Sequence, residues 1–478
     1  MKPIIFETKN KNKYLYSPNQ KDLLSIDNKT FDKITDFLDT KNFRNESCDK
    51  SYFGFLLNNE FLDETRELKP EPIKDEDILY NIANISQLVF EVTEDCNLEC
   101  KYCGFGDYYL KEKRDKASLS VDKAFKAIDY LFNAKKTNAF ESYNSEFRIG
   151  FYGGEPLLNF NFINTIVDYS KKRCPSNINL SFGMTTNGTL LEKHIDYLIS
   201  NNFSVMISLD GDEDSSSYRI FKNGLNSFKT VYNQIQNIKE NHSDFFINNI
   251  RFNSVLHDRN NVKDLYSFFS NNFGKLPQIS ELHTGNIDES MQTNFLEKYK
   301  SATDDISKLH SKTIEEELFI KSPRVKGLTD ILFNYSKNVK KDYYQLLYQQ
   351  EDKFHLTGTC TPFSRKFFVS ARGLILPCEK IHHKYAMGFI SNEVNLNVTE
   401  IVENFNNTIS NISSQCENCG IKEHCQQCVF SLPLKDGKII CNQSHNQKSL
   451  KQLFINRIEF LEENPHFYDK IMNEIVIR

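Results

Sequence analysis

Glu94-Asp-Cys96-Asn-Leu-Glu-Cys100-Lys-Tyr102-Cys103 places three cysteines within ten residues, with three and then two residues between them, directly after the strand-like run Leu88 to Val92. Three thiolates on one short loop can converge on a single metal cluster. A [4Fe–4S] cluster normally takes four cysteines, so a three-cysteine loop leaves one iron open to another ligand. That iron is where chemistry can happen. The competing reading is a zinc knuckle or three buried thiols. Structural zinc sites usually pair one such unit with a second, and no second pair lies close to Cys103.

The rest of the composition agrees with an enzyme-sized chain. At 478 residues it is long enough for two or three domains. Its net charge of −5, with both signs mixed, gives no basic field for nucleic acid. No apolar run approaches 18 residues, and Met1-Lys-Pro-Ile-Ile-Phe-Glu7 turns polar too soon for a signal peptide. These features predict a cytoplasmic protein with no membrane partner. Of twelve cysteines, ten fall into two groups, which points to metal rather than disulfides. Cys48 and Cys174 stand apart and read as free thiols, although Lys171-Lys-Arg173 could lower the pKa of Cys174.

Along the chain, Ile4-Ile-Phe6, Tyr14-Leu-Tyr16 and Leu23-Leu-Ser-Ile26 read as short strands, and Phe31 to Leu38 has helical spacing after Asp27 or Asn28. This predicts a small α+β unit, followed by a linker across residues 60–84 that contains Pro70 and Pro72. From Gln87 strands alternate with helices. The strands are expected at Leu88–Val92, Phe147–Tyr152, Ile178–Thr185, Phe203–Leu209, Ile250–Leu256 and Ile279–His283, with helices such as Val121–Phe132 and Phe160–Tyr169 between them. Six such repeats predict an α/β fold, a partial (β/α)6 barrel with its functional loops at the C-terminal strand ends. Residues 286–350 read as charged connector helices, for example Phe295–Tyr299 and Ile314–Phe319.

The loops after successive strands carry the candidate motifs: the cysteine loop, Gly153-Gly154-Glu155-Pro156, Thr185-Thr-Asn187-Gly188 and Ser208-Leu-Asp210-Gly211. Two glycines let backbone approach a ligand closely. With Tyr102 before the last cysteine, the first loop resembles the CxxxCxΦC loop of the radical S-adenosylmethionine (SAM) enzymes. That resemblance implies a cluster on Cys96, Cys100 and Cys103 whose free iron chelates SAM. It also implies that Tyr102, Gly153, Gly154, Glu155, Asn187, Ser208 and Arg219 form the SAM site, Glu155 accepting from the ammonium group, and Ser208 and Arg219 holding the carboxylate and ribose side. Arginine suits a carboxylate because its planar fork binds bidentately. The family often has His-Asp before this arginine, where Asp214-Ser-Ser-Ser217 stands here.

The second group runs Cys360-x17-Cys378, then Cys416-x2-Cys419-x5-Cys425-x2-Cys428-x12-Cys441. Seven cysteines in that order resemble the SPASM domain, an extension that carries auxiliary [4Fe–4S] clusters; a CxxC…CxxC zinc ribbon is the competitor. By position, Cys416, Cys419, Cys425 and Cys441 would complete one cluster, and Cys360, Cys378 and Cys428 would hold the other. The resemblance therefore implies three [4Fe–4S] clusters in all. The second auxiliary cluster lacks a ligand, because the Lys353-Phe-His355 neighbourhood replaces a cysteine of some relatives. His355 or another group fills the place, or that iron is open to substrate. Glu379, directly after Cys378, stands where sulfatase-maturing relatives have a catalytic base. His382, His383 and His424 read as polar surface groups or as groups that support the cluster ligands from behind.

The expected organisation is a leader-peptide recognition unit at 1–84 with a winged-helix-like fold, a radical SAM core at 85–300, a helical connector at 301–350 and a SPASM domain at 351–478. Peptide maturases of this kind often carry an N-terminal module whose sheet edge takes up the precursor's leader as an added strand. The stretch Tyr102-Cys-Gly-Phe-Gly-Asp-Tyr-Tyr109 also looks like that of bacterial peptide maturases. The favoured expectation is a maturase that forms an intrapeptide crosslink (thioether, carbon–carbon or ether) in a ribosomally made precursor, served by a flavodoxin- or ferredoxin-type electron donor. The alternatives are an anaerobic sulfatase maturase that makes formylglycine, and a non-enzymatic iron–sulfur or zinc scaffold.

Overall fold

A computed structural model describes all residues except 41–50, 65–69, 110–114, 137–145, 286, 308–318, 320–321, 337–355, 357, 436–437, 442–443 and 476–478. Cys48, His355 and most of the helix expected at 314–319 lie outside the described residues.

The N-terminal strands β1 (Ile4–Glu7), β2 (Lys13–Ser17) and β3 (Asp22–Ile26) form an antiparallel meander. Helices α1 (Asn28–Thr40), α2 (Tyr52–Asn58) and α3 (Asp75–Asn84) follow. Asp27 accepts from the Thr30 amide at 2.9 Å and Ser51 from that of Gly54, so each carries a free helix N-terminal donor. One side of the meander buries Leu15 and Ile26 against Ile34, Phe53 and Leu56.

Strands β4 (Gln87–Thr93), β5 (Glu146–Gly153), β6 (Asn179–Thr186), β7 (Ser204–Ser208), β8 (Ile250–Leu256) and β9 (Gln278–Glu281) pair in parallel and in sequence order. Helices α4 (Val121–Lys136), α5 (Phe160–Arg173), α6 (Leu191–Ser200), α7 (Phe228–Asn241), α8 (Ser243–Asn249) and α9 (Val262–Phe273) connect them. Alternation explains the layering. Leu88, Phe90, Phe147, Ile149, Phe182, Val205, Ile207, Ile250 and Phe252 sit in one continuous apolar core. Their neighbours on the other face, Gln87, Arg148, Gly150, Gly183, Ser204 and Arg251, are small or polar and, with Met206, line a cavity of about 210 Å3.

After β9 come α10 (Gln292–Lys298), α11 (Ala302–Ser307) and α12 (Pro323–Asn334), then β10 (Phe367–Val369), β11 (Leu374–Leu376), β12 (Gly388–Ile390) and β13 (Val394–Asn395). The expected helix at Phe295–Tyr299 is covered, but for its last residue, by α10. Strand β10 lies parallel to β4, with Phe367 opposite Leu88, and β11 to β13 follow beyond it, so four strands from the cysteine-rich C-terminal part extend the core sheet to ten strands. The remaining helices are α13 (Val398–Cys416), α14 (Gln447–Glu463) and α15 (His466–Glu474). The second side of the N-terminal meander, Ile4, Phe6 and Tyr16, packs on α12 and α14 through Ile331, Leu450, Phe454 and Ile458. Glu462 at the end of α14 accepts from Thr8, Asn10, Asn12 and Tyr14. Among the described residues no helix is long and apolar enough to cross a membrane.

Candidate active site at the ends of the parallel strands

The cysteine loop leaves the end of β4 and is pinned like an extra strand. Glu99 N–H donates to Ile220 O at 2.7 Å and Lys101 N–H to Tyr218 O at 3.1 Å. Lys222 closes the pairing with a 2.9 Å bridge to Asp95. The segment 218–222 therefore braces the loop that carries Cys96, Cys100 and Cys103. These thiols lie within electrostatic reach of one another, and burial pushes Cys100 up to about 12, with Arg219 pulling the other way. A shared metal group would hold such thiols as thiolates and expel their protons. The Leu98 amide points at Cys96 Sγ from 3.4 Å and the Asn187 side-chain amide from 3.7 Å, donors suited to a thiolate sulfur.

Gly153 and Gly154 bring backbone close to this loop. Gly153 has φ of +135°, and a Cβ on Gly154 would come within 2.0 Å of Asp95 O. The pair thus fits against the base of the cysteine loop, an approach only glycine permits. Glu155 turns inward with no exposed surface. It accepts from the Thr186 hydroxyl at 2.8 Å, the Asn187 amide at 2.7 Å and the Leu157 amide at 3.1 Å. The carboxylate that the sequence assigns to an ammonium group is, in this structure, a tie between two motif loops. Burial pushes it up to about 7 although all three donors favour the anion. Its folded pKa lies above the ordinary 4.5, so its contribution to stability falls as pH rises from about 4.5 to about 7. Glu155→Gln should abolish that slope. It should also leave the Asn187 amide facing another donor, lowering stability by about 1–3 kcal/mol in urea unfolding.

At the end of β7 the structure adds an ionic centre. Asp210, with no exposed surface, accepts from Arg219 Nε and Nη2 at 2.9 Å each, from the Val255 amide at 2.9 Å and from the Tyr102 hydroxyl. Burial alone would raise Asp210, but Arg219 and its hydrogen bonds hold it down to about 2. Asp210 in turn raises Arg219 against the effect of burial. The guanidinium lies 5.4 Å from the centre of the Tyr102 ring, and that ring stacks on His257 at 5.5 Å. Arg219 and Tyr102, expected at the SAM site, are thus coupled through a carboxylate to which the sequence reading gave no role. His257 and Asn260 were missed altogether; they come from the loop after β8, and only their position at a strand end could have flagged them. Ser208 stands two residues before Asp210, at the C-terminal end of β7.

Glu379 lines the same cavity as Tyr152 and Thr185, the residues that lead into Gly153 and Asn187. Lys366 Nζ bridges it at 2.7 Å. Burial would raise Glu379, and Lys366 overrides this to hold it below the usual carboxylate range. Cys378 Sγ sits 3.6 Å from the same carboxylate. Among the other cysteines, Cys416 is raised by burial, then by Cys419, Cys425 and Cys441, so these four gather as one group. The residues next to Cys360 and Cys428 meet, the Val429 amide donating to Thr359 Oγ1 at 2.7 Å. Among the described residues no three His, Cys, Asp or Glu groups are close enough to hold one metal ion; a four-iron cluster spreads its ligands over separate irons. Glu94, at the base of the first loop, meets Arg372 from the β10–β11 turn at 2.8 Å and so joins the two cysteine regions.

Comparisons with known proteins agree with this layout. Residues 90–268 match the Radical SAM superfamily. The chain is 24% identical to the radical SAM cyclopropyl synthase TigE of Paramaledivibacter caminithermalis, over 80% of this chain and 76% of that one. It is also 24% identical to a cysteine-type anaerobic sulfatase-maturating enzyme of Clostridium novyi, over 71% and 86% of the two chains. The fold is similar to that of native anSMEcpe with bound AdoMet and Kp18Cys peptide, with a TM-score of 0.55, 20% identity and coverage of 81% of this chain and 99% of that chain. The strand-end cysteine loop and these relationships show a radical SAM domain at residues 90–268 in an enzyme similar to TigE and to the anaerobic sulfatase maturases.

Proposed function

We propose that the chain is a radical SAM/SPASM peptide maturase that installs an intrapeptide crosslink in a ribosomally made precursor. The observation that carries this reading is the strand-end loop that gathers Cys96, Cys100 and Cys103 beside Asn187 and Arg219, in a chain whose cavity is lined by Glu379 together with Tyr152 and Thr185. The superfamily implies SAM and a [4Fe–4S] cluster, and the thiols of Cys96, Cys100 and Cys103 fit that cluster. When bound, these groups supply a carbon-centred oxidant able to take hydrogen from one C–H bond. This chain's part is to orient and exclude water. Asn187 donates toward Cys96 Sγ, Ser208 offers a hydroxyl at the strand end, and Arg219, fixed by Asp210, contributes positive charge beside Cys100. Glu379, kept ionised by Lys366, is placed to accept the proton released when a new bond forms. Two further clusters, on Cys416, Cys419, Cys425 and Cys441 and on Cys360, Cys378 and Cys428, would take up the remaining electron, with a flavodoxin- or ferredoxin-type donor reducing the first cluster. The meander of β1 to β3 is suited to hold a leader by strand addition; some fifth of this chain has no counterpart in the anSMEcpe chains, which it covers almost completely.

A second reading, formylglycine formation, is favoured by Glu379 lying directly after Cys378 and by the likeness to sulfatase maturases. Anaerobically loaded enzyme incubated with SAM, reductant and candidate peptides separates the two. Crosslinking yields a peptide that has lost two hydrogens and is inert to hydrazide reagents, whereas formylglycine yields an aldehyde that they label. Failure to form 5′-deoxyadenosine would overturn both. In either case Lys366→Met should raise the pKa of Glu379 and move the acid limb of the pH–rate profile to higher pH.

A further inference from the structure

We propose that the N-terminal end of the half-barrel is a carboxylate-reading site, in which Arg148 and Arg251 receive acidic side chains of the peptide substrate. This rests on the peptide-maturase reading above. In a closed barrel the inward positions are filled by layers of bulky branched side chains. Here Gly150 and Gly183 leave the layer open, and the cavity is edged by Gln87, Arg148, Ser204, Arg251 and Lys366. Gln87, Arg148, Ser204 and Arg251 each stand within the first three residues of their strands. Gln87 is opposite Arg148, Arg148 opposite Ser181, and Arg251 opposite Met206 one step above Ser204's row.

Lys366 is neutralised by Glu379, but the two arginines are not. Among the described residues neither guanidinium meets a carboxylate; Arg148 Nε reaches the Ser181 hydroxyl at 3.4 Å. Arg251 instead adds repulsion to Lys275, which burial already lowers. Two uncompensated guanidiniums beside a cavity, in a chain whose net charge is −5, favour an anionic occupant. Strands β5 and β8 are three sheet steps apart, about 14 Å along the sheet at roughly 4.8 Å per step. Arg251 also stands four residues beyond the row of Arg148, about 13 Å further along the strands. One small anion does not bridge the two, whereas an extended peptide does with acidic residues about four to six positions apart, given the reach of the arginine side chains. Guanidinium forks match such carboxylates bidentately. The substrate would then run from this cationic end towards the strand ends that carry the cysteine loop.

The probe is the peptide Glu-Gly-Glu-Gly-Glu, blocked at both ends and carrying a neutral coumarin label, compared with its Gln-Gly-Gln-Gly-Gln counterpart. Binding to the anaerobically loaded full-length enzyme is followed by fluorescence anisotropy at low salt. The wild type is expected to bind the glutamyl peptide about tenfold or more tightly than the glutaminyl one. Arg148→Gln/Arg251→Gln should bring that ratio to about one, while Arg148→Lys/Arg251→Lys keeps part of it. Circular dichroism and iron content check the fold of each variant, and Arg251→Gln alone, at an exposed position, serves if the double variant does not fold. Equal binding of the two peptides by the wild type, or an undiminished ratio in the glutamine variants, overturns the inference. Formation of 5′-deoxyadenosine by the wild type is scored separately, so loss of the maturase reading is not mistaken for loss of this site.

Discussion

Cys100→Ala is expected to reduce 5′-deoxyadenosine formation to background while the chain remains folded. Cys100 is within electrostatic reach of Cys96 and Cys103 and is buried beside Arg219 and Asp210. Alanine keeps the loop's backbone pairing to residues 218 and 220 and removes only a sulfur. Iron should fall by the content of one cluster. Cys174→Ala is the control, since that thiol is half-buried beside the carbonyls of Pro175 and Ile178, away from the site. A Cys100→Ala variant with undiminished turnover would sink the assignment of the first loop.

The largest effect on stability is expected from Asp210→Asn. The substitution leaves Arg219 buried without its counter-charge and sets an amide against the Tyr102 hydroxyl and the Val255 amide. Breaking a buried pair by removing one partner costs about 3–5 kcal/mol. Arg219→Met should be costly in the same way, and the double variant Asp210→Asn/Arg219→Met should cost clearly less than the two added together, as a double-mutant cycle in urea will show. Additive losses would mean that the pair is not the unit described. Asp210 is held at about 2, below its ordinary 3.8, so its contribution is complete above pH 3.8 and is lost as pH falls towards 2. Acid unfolding of the Asn variant should therefore lack that part of the transition.

The core strands were legible because Leu88–Val92 and Ile250–Leu256 combine β-type residues with turn signals on both sides. The motif loops were legible because cysteine and glycine spacing is local. What the sequence hid is partnership across distance. Glu155 looked like an open carboxylate because nothing near it announces that Thr186 and Asn187 will donate to it. Asp210 stood in plain sight, yet its partners arrive from residues 102, 219, 255 and 257. Strands β10 to β13 have two or three residues each, too short to show a period of two, so their union with the core sheet could not be read. Arg148 alternates with Phe147 and Ile149, but an isolated charge in a strand reads first as a solvated one.

The clasp between Thr8 and Glu462 spans 454 positions. During synthesis, at about 5–20 residues per second, Phe6 and Tyr16 wait some 20–90 s before Phe454 and Ile458 leave the ribosome. Throughout that interval one side of the first sheet is apolar and uncovered, a target for chaperones and for other nascent chains. Yield in a heterologous host should accordingly depend on holdase capacity and elongation rate more than on the composition of the chain.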